Sequence, residues 1–290
     1  MLILLADAFT ADLPKRLEAY GAVSQDIGSI GEAEVLIVRS KTKVDQAMME
    51  KAPKLKYIIR GGVGVDTIDV EFAKSKGILV DNTPEASSVA VAELAFAMML
   101  AMPANIAPAD SSMKQGKWLK KELERSELLG KTLGLIGIGR IAREVAQRAK
   151  AFGMRVIAYD KYVNASDAAE MMSLDKVYAQ ADFISLHTPL TDETKGMINA
   201  ATIATMKQGV RIINTCRGQV VVEEDVAAAL KSGALAGYAA DVFYKEPPEG
   251  SPLLGAPNTL LAPHLGASTA ENLIRLGDSI TDRVKKYAGK

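Results

Sequence analysis

The sequence predicts an α/β protein built from two doubly wound parallel sheets, and three observations carry that prediction. Short apolar runs alternate with helical stretches of about ten to fifteen residues, which is how parallel βαβ units look in a sequence. The alternation occurs twice, on either side of a long helical connection at 87–116. The chain has 290 residues, enough at roughly 150 per domain for two separate cores.

In the first series the candidate strands are Leu2–Leu5, Val35–Val38, 57–59 and 78–80, with helices at 11–20, 43–51 and Val70–Ser75. In the second they are Thr132–Ile136, Arg155–Tyr159, Phe183–Leu186, Val210–Asn214, 236–240 and Thr259–Leu261. The helix after the first of these strands carries Ile141, Val145, Ala149 and Phe152, an apolar stripe at helical spacing. The stretch 94–109 has no charge but is shorter than a bilayer span and contains Pro103 and Pro108, so it reads as a buried helix pair. The last segment, 268–287, is amphipathic and has no strand series of its own to cover, so it is expected to return to the first domain. The first domain is then discontinuous, 1–84 with 266–290, and 85–265 is inserted into it. No tandem repeat is evident, and the one biased stretch is a Pro-rich turn at 246–252.

Composition excludes several classes. Hydrophobic residues make up 48% and charged residues 24%, as in globular proteins and unlike collagenous or disordered chains. Lys plus Arg and Asp plus Glu number 35 each, so nothing suggests a general attraction to nucleic acid or to an anionic membrane. A single cysteine, Cys216, cannot form an internal disulfide, and the start MLILLADAF lacks a basic segment and reaches Asp7 early. A cytoplasmic protein is expected, with no metal centre.

The run KTLGLIGIGRIAREVAQRAKAFGMRVIAYD places Gly137, Gly139 and Ala142 in the spacing G-x-G-x-x-[GA], after an apolar strand and at the head of a helix. A second strand ends in Asp160, about twenty residues on, which completes a dinucleotide-binding βαβ unit. Gly137 permits the tight turn, Gly139 lets the backbone approach a pyrophosphate, and Ala142 lets the helix pack closely. Helix-start amides then hold the anion. A carboxylate at Asp160 accepts from the ribose hydroxyls and repels a 2′-phosphate, so the expected cofactor is NAD in a Rossmann domain. The other domain is expected to be a flavodoxin-like substrate domain.

Only two histidines are present, His187 and His264, so a general acid–base near neutral pH has few candidates. His264 lies in LLAPHLGAST just past an apolar strand, Glu246 lies in ADVFYKEPP and Arg217 in IINTCRG, each at another strand end. Ends of parallel strands present residues to a crevice. An imidazole, a carboxylate and a guanidinium delivered there suit proton-coupled hydride transfer.

These residues sit in blocks that extend over nearly the whole chain: VRSKTKV (38–44), RGGVGVDTID (60–69), NTPEASSVAVAE (82–93), SMKQGKW (112–118), the GIGRIA fingerprint, LHTPLTDET (186–194), INTCRGQVV (213–221), AADVFYKEPP (239–248) and APHLGAST (262–269). In this order the chain resembles the D-isomer-specific 2-hydroxyacid dehydrogenases, most of all their phosphoglycerate-oxidising members. The resemblance implies that His264 exchanges the proton of the substrate's C2 oxygen, that Glu246 orients it and favours its protonated form, and that Arg217 holds the substrate. It also implies cofactor contacts from Arg140 and Ile141 at the phosphates, Asp160 at the ribose, and His187 and Thr188 along the pocket. Thr215, Cys216 and Asp241 would meet the nicotinamide side, with Val63, Pro189, Gly266 and Ala267 completing the set. Gly62, Val63 and Gly64 would offer amides to the substrate carboxylate, and Arg39 and Arg60, with Lys120 or Lys121, would meet a phosphate.

The expected reaction is NAD-dependent oxidation of 3-phospho-D-glycerate to 3-phosphooxypyruvate, the entry to serine synthesis. A hydroxypyruvate or glyoxylate reductase is the alternative of the same chemistry, and a dinucleotide-sensing corepressor-like scaffold the alternative of another class. Three departures from the family pattern stand out: Ala142 for the third glycine, Cys216 where alanine commonly precedes the arginine, and an end at Lys290 that leaves no room for the serine-binding regulatory domain of many such members. Serine feedback is therefore not expected. Trp118 follows the long connecting helices that embrace a second subunit in this family, so a homodimer through the NAD-binding domains is expected, with Trp118 at or near the contact.

Overall fold

The computed structural model describes residues 1–289. The chain divides into two compact units, Met1–Ala90 with 267–289, and Val91–Gly266. The division falls inside the helix Ser88–Ala101, beyond the expected 84. The reason is visible at 83–86: Thr83 exchanges hydrogen bonds with Gly62, Arg283 binds Glu85 at 2.9 Å, and Arg275 Nε donates to the Ala86 carbonyl at 2.9 Å.

The first unit holds five parallel strands: β1 (Leu2–Leu5), β2 (Ala22–Ser24), β3 (Val35–Val38), β4 (Tyr57–Arg60) and β5 (Leu79–Asn82). Their order is β2-β1-β3-β4-β5, the flavodoxin-like winding. Alternate side chains go to opposite faces. Leu4, Leu36, Val38 and Ile58 meet Met49, Ala52 and Ala73 on one side. Ile3, Leu5, Val35, Ile37 and Ile59 meet Leu13, Leu17, Ile280 and Val284 on the other. The C-terminal helix Ala270–Tyr287, capped by Thr269 accepting from the Asn272 amide, thus covers one face of this sheet. Both faces are buried, which explains why β3 is apolar at every position.

The second unit holds seven parallel strands: β6 (Thr132–Ile136), β7 (Arg155–Tyr159), β8 (Glu170–Met171), β9 (Phe183–Leu186), β10 (Val210–Asn214), β11 (Leu235–Ala240) and β12 (Thr259–Leu261). Their order is β12-β11-β10-β9-β6-β7-β8. The winding reverses between β6 and β9, which makes the end of β6 the switch point of a Rossmann sheet. Leu133 and Leu135 pack with Ala142, Val145, Ala149, Phe96 and Met99 on one face, and Ile184, Leu186 and Ile212 with Val177 and Val226 on the other.

Several expectations need correction. β2 and β8 were not visible as apolar runs because they are short edge strands of two or three residues. The helices expected at 11–20 and 43–51 shorten to Leu13–Leu17 and Gln46–Glu50. The connection at 87–116 is two helices, Ser88–Ala101 and Ile106–Lys114, bent by 67°. Only the first is buried; Ile106 and Met113 on the second are 58% and 54% exposed. In the helix Arg140–Ala151 the buried stripe is Ala142, Val145, Ala146 and Ala149, while Phe152 lies beyond its end, half-exposed, and meets Phe96 edge-on at 5.0 Å. Among the described residues no single helix is long and apolar enough to cross a membrane.

Ile280 is fully buried between the C-terminal helix and the first sheet. Ile280→Ala should cost about 2–5 kcal/mol. Hydrogen–deuterium exchange should accelerate in β1 and β3 while β9 and β10 keep wild-type protection; equal loss in all four would contradict this packing.

Candidate active site

The fingerprint turn begins at the end of β6. Gly137 has φ +92°, and a Cβ there would stand 2.5 Å from the His187 carbonyl oxygen, so strain and contact both demand glycine. Gly139 lies at the N-terminus of the helix Arg140–Ala151 with nothing within 4 Å of where its Cβ would stand. That open space beside helix-start amides is what a pyrophosphate needs. Ala142 is fully buried beneath it. Arg140 is exposed at the first helical position and Ile141 is partly buried.

Asp160 follows β7, and its carboxylate is already engaged. One oxygen accepts the Ile138 amide at 2.9 Å, and the other accepts the amides of Tyr162 at 2.8 Å and Val163 at 3.1 Å. Asp160 therefore ties the fingerprint turn to the end of β7, with about one of a carboxylate's four acceptor positions left over.

His187 follows β9. Its Nε2 lies 2.9 Å from the Ser185 hydroxyl, and burial depresses its pKa to about 4. It is a neutral imidazole across the physiological range and unsuited to acid–base work. Thr188 lies beside the Cys216 thiol, and the Pro189 carbonyl accepts from Thr194 at 2.6 Å. Thr215 Oγ1 is buried with no hydrogen-bond partner, an orphaned donor of the kind a bound dinucleotide satisfies. These residues fit a dinucleotide: turn, open cradle, engaged acid and unpaired hydroxyl all lie in the second unit.

Asn214 organises the next loop. It is fully buried; its oxygen accepts from the Cys216 amide at 3.1 Å and thiol at 3.2 Å, and its nitrogen donates to the Arg217 carbonyl at 3.0 Å. Burial pushes the Cys216 thiol up, so it is not an activated nucleophile. Arg217 Nη1 donates to the Cys216 carbonyl at 2.6 Å.

His264 occupies the left-handed region with φ +55°, an uncommon setting for a residue with a side chain and one met at functional sites. Its Nδ1 lies 2.7 Å from Glu246 Oε2, and Glu246 Oε1 accepts the Phe243 amide at 3.2 Å. The hydrogen bond to Glu246 raises the His264 pKa against the effect of burial, helped by the charges of Glu246 and Asp241 and opposed by Arg217. Burial would raise Glu246, yet His264 and Arg217 hold it below the usual carboxylate range. Arg217, Glu246 and His264 are thus brought together in the second unit.

Asp241 is almost wholly buried. Its two oxygens accept the amides of Leu265 at 2.6 Å and Gly266 at 2.7 Å, which pins the turn directly after His264. Burial pushes its carboxyl up although both amides and His264 pull it down. Its carboxylate serves first as an anchor for this turn, a role not expected from the sequence. Asn214, in the block 213–221, and Ser185, in the expected strand Phe183–Leu186, were likewise missed, because nothing in their spacing announces the contacts they make.

The remaining candidates belong to the first unit. Arg39 follows β3, where its amide binds Asp7 and its Nη1 donates to the Ala8 carbonyl at 3.2 Å. Arg60 ends β4, and its Nη1 lies against Gly62 and donates to the Gly61 carbonyl at 3.2 Å. The Gly62 amide donates to Thr83 Oγ1 at 2.7 Å, so an anion nest at 62–64 would rest on the amides of Val63 and Gly64 alone. Ala267 also falls in this unit. Lys120 and Lys121 are exposed on a turn of the second unit. Among the described residues no cluster of acids, histidines or cysteine has the makings of a metal site.

Residues 96–266 match the family model described as D-isomer specific 2-hydroxyacid dehydrogenase, NAD binding domain. A D-3-phosphoglycerate dehydrogenase of Methanocaldococcus jannaschii is 45% identical over 98% of this chain and 57% of its own length. A hydroxypyruvate reductase of Thermotoga maritima is 49% identical over 90% of this chain and 86% of its own. The chain thus spans little more than half the length of the first relative. A solved D-lactate dehydrogenase of Aquifex aeolicus, complexed with NAD and lactic acid, superimposes with a TM-score of 0.88 at 32% identity, covering 100% of this chain and 96% of that one. With the fingerprint at a Rossmann switch point and the imidazole–carboxylate pair on the same unit, the chain belongs to the D-isomer-specific 2-hydroxyacid dehydrogenases, and its second unit is their NAD-binding domain.

Proposed function

We propose that this chain interconverts a 2-hydroxy acid and its 2-keto acid with NAD, and that its substrate is 3-phospho-D-glycerate, oxidised to 3-phosphooxypyruvate. The observation that carries the reading is the 2.7 Å contact between His264 Nδ1 and Glu246. With Nδ1 engaged by a carboxylate, Nε2 is the nitrogen left to exchange a proton with the substrate's C2 oxygen. Bound NAD supplies the acceptor for the C2 hydrogen, transferred as hydride. In oxidation neutral His264 takes the hydroxyl proton; in reduction the imidazolium returns it. Arg217 holds the substrate's carboxylate or carbonyl oxygen and stabilises charge developing there. Thr215, Thr188, His187 and Asp160 are assigned to the cofactor, and Arg39 and Arg60 to the phosphate.

The relative named for phosphoglycerate covers nearly all of this chain and favours that substrate. The relative named for hydroxypyruvate matches over most of its own length and keeps reduction of that smaller keto acid as the second reading. Ile106, Met113 and Trp118 are exposed apolar residues of the second unit, the last at 74%, which supports self-association through that unit. Exposure at this level removes a core role for Trp118.

Steady-state kinetics with both substrates decide between the two readings. Arg60→Ala should lower kcat/KM for phosphoglycerate by about 10–100-fold, the worth of a charged hydrogen bond, and leave hydroxypyruvate reduction largely intact. His264→Asn should lower turnover by about 10²–10⁴-fold. Reduction needs the imidazolium, so its rate should fall as pH rises through the raised pKa of His264, whereas oxidation should rise over the same range. Glu246→Gln should move both limbs to lower pH; an unmoved profile would argue against the pair. Light scattering at micromolar concentration should report a dimer, and Trp118→Arg should weaken it.

A further inference from the structure

Glu223 is a buried acid, 7% exposed, at the first position of the helix Glu223–Ser232. One oxygen accepts the Tyr244 amide at 2.8 Å and the other accepts the Ser251 hydroxyl at 2.6 Å. A buried carboxylate is tolerated when its lone pairs are used in this way. Tyr244 and Ser251 bracket Glu246 within 241–251, a segment with no helix or strand of its own. The Tyr244 peptide is gripped from both sides, because its carbonyl accepts from Gln219 Nε2 at 2.8 Å. Ser251 Oγ in turn accepts the Leu253 amide at 3.3 Å. Gly218 seals the contact: a Cβ there would stand 1.9 Å from the Phe243 carbonyl carbon, so the loop carrying Arg217 and the loop carrying Glu246 meet with no room for a side chain.

We propose that Glu223 is a positioning residue for the proton relay: by fastening both ends of the 244–251 segment it holds Glu246 against His264. This rests on the reading of His264 and Glu246 as the relay. Glu223 touches neither reacting atom nor cofactor in this role and acts through Glu246 alone. Besides Glu223, Gln219 holds the segment at the Tyr244 carbonyl, and the bonds from the Glu249 amide to the Pro247 carbonyl at 2.9 Å and from the Ser251 amide to the Pro248 carbonyl at 3.1 Å are internal to it; the Glu246 carboxylate's own bond to the Phe243 amide is a long 3.2 Å. Loosening the segment lengthens the contact that raises the His264 pKa. The charged groups facing His264 are Glu246, Asp241 and Arg217, and of these only Glu246 rides on the clamped segment.

The decisive measurement is the titration midpoint of the His264 imidazole by ¹⁵N NMR of the full chain, together with the pH profile of hydroxypyruvate reduction. The other imidazole, His187, titrates far lower, at about 4, so the two signals separate. In Glu223→Ala the His264 midpoint should fall by about half a pH unit or more, and the falling limb of reduction should move with it. Glu223→Gln keeps an acceptor for Tyr244 and should keep both values near wild type. Ser251→Ala removes one of the two bonds and should move both in the same direction by less, which also covers an alanine variant at 223 that fails to fold. A folded Glu223→Ala or Ser251→Ala protein with the wild-type midpoint overturns the clamp, whatever its loss of turnover. Glu246→Gln separates the layers: an unmoved midpoint there overturns the relay and this proposal together, whereas a midpoint that moves in Glu246→Gln but not in the clamp variants overturns the clamp alone.

Discussion

The contact between His264 and Glu246, 2.7 Å long, raises the proton affinity of that imidazole, and buried polar groups of the second unit hold the loops that make it. Its two partners sit on separate loops after β11 and β12, and loops left alone do not hold a hydrogen bond at fixed geometry. Here buried polar groups do it. Asp241 pins the turn after His264 through two amides, and Asn214 braces the turn that carries Arg217. The left-handed backbone at His264 is a local cost that such over-determination sustains.

The electrostatics around His264 form a balance. Arg217 pulls its pKa down, while Glu246 and Asp241 push it up. Without the carboxylates Arg217 would lower the proton affinity of His264, and without Arg217 the carboxylates would raise it further. The arrangement of two against one suits a group that must give and take the same proton. Burial alone sends the other histidine the opposite way, to about 4, so the two imidazoles of the chain differ in role through their surroundings alone.

The central strands could be read from the sequence because a parallel sheet covered on both faces favours strongly apolar runs: β3 is apolar throughout, and β6, β9 and β10 are mostly so, with isolated polar residues such as Ser185 or Arg211. β2 and β8 escaped since an edge strand of two or three residues need bury little. The fingerprint and Asp160 were legible as spacing, yet the bonds from Asp160 to Ile138, Tyr162 and Val163 were not. Arg217, Glu246 and His264 were found as strand-end residues in a familiar pattern. Asp241 and Glu223 were not found as anchors, because a clamp is a relation between residues distant in sequence: Glu223 looks like any acid at a helix start, where the dipole favours one.

The partition of residues between the two units bears on how substrate choice could change without loss of the chemistry. Every group that sets the charge of His264, namely Glu246, Asp241 and Arg217, lies in the second unit, as do the fingerprint and the orphaned Thr215 hydroxyl. Arg39 follows β3 and Arg60 ends β4, both in the first unit, and neither is among the charges named for His264. In the proposed function Arg60 is assigned to the phosphate, and its substitution is expected to spare the proton exchange assigned to His264. The loops after β10, β11 and β12 differ, since Asn214, Asp241 and Glu246 there hold the turns and the charge around His264. On that proposal a new keto acid is accommodated by changes in the first unit while the proton-exchanging groups of the second stay in place, as a family with one chemistry and many substrates requires.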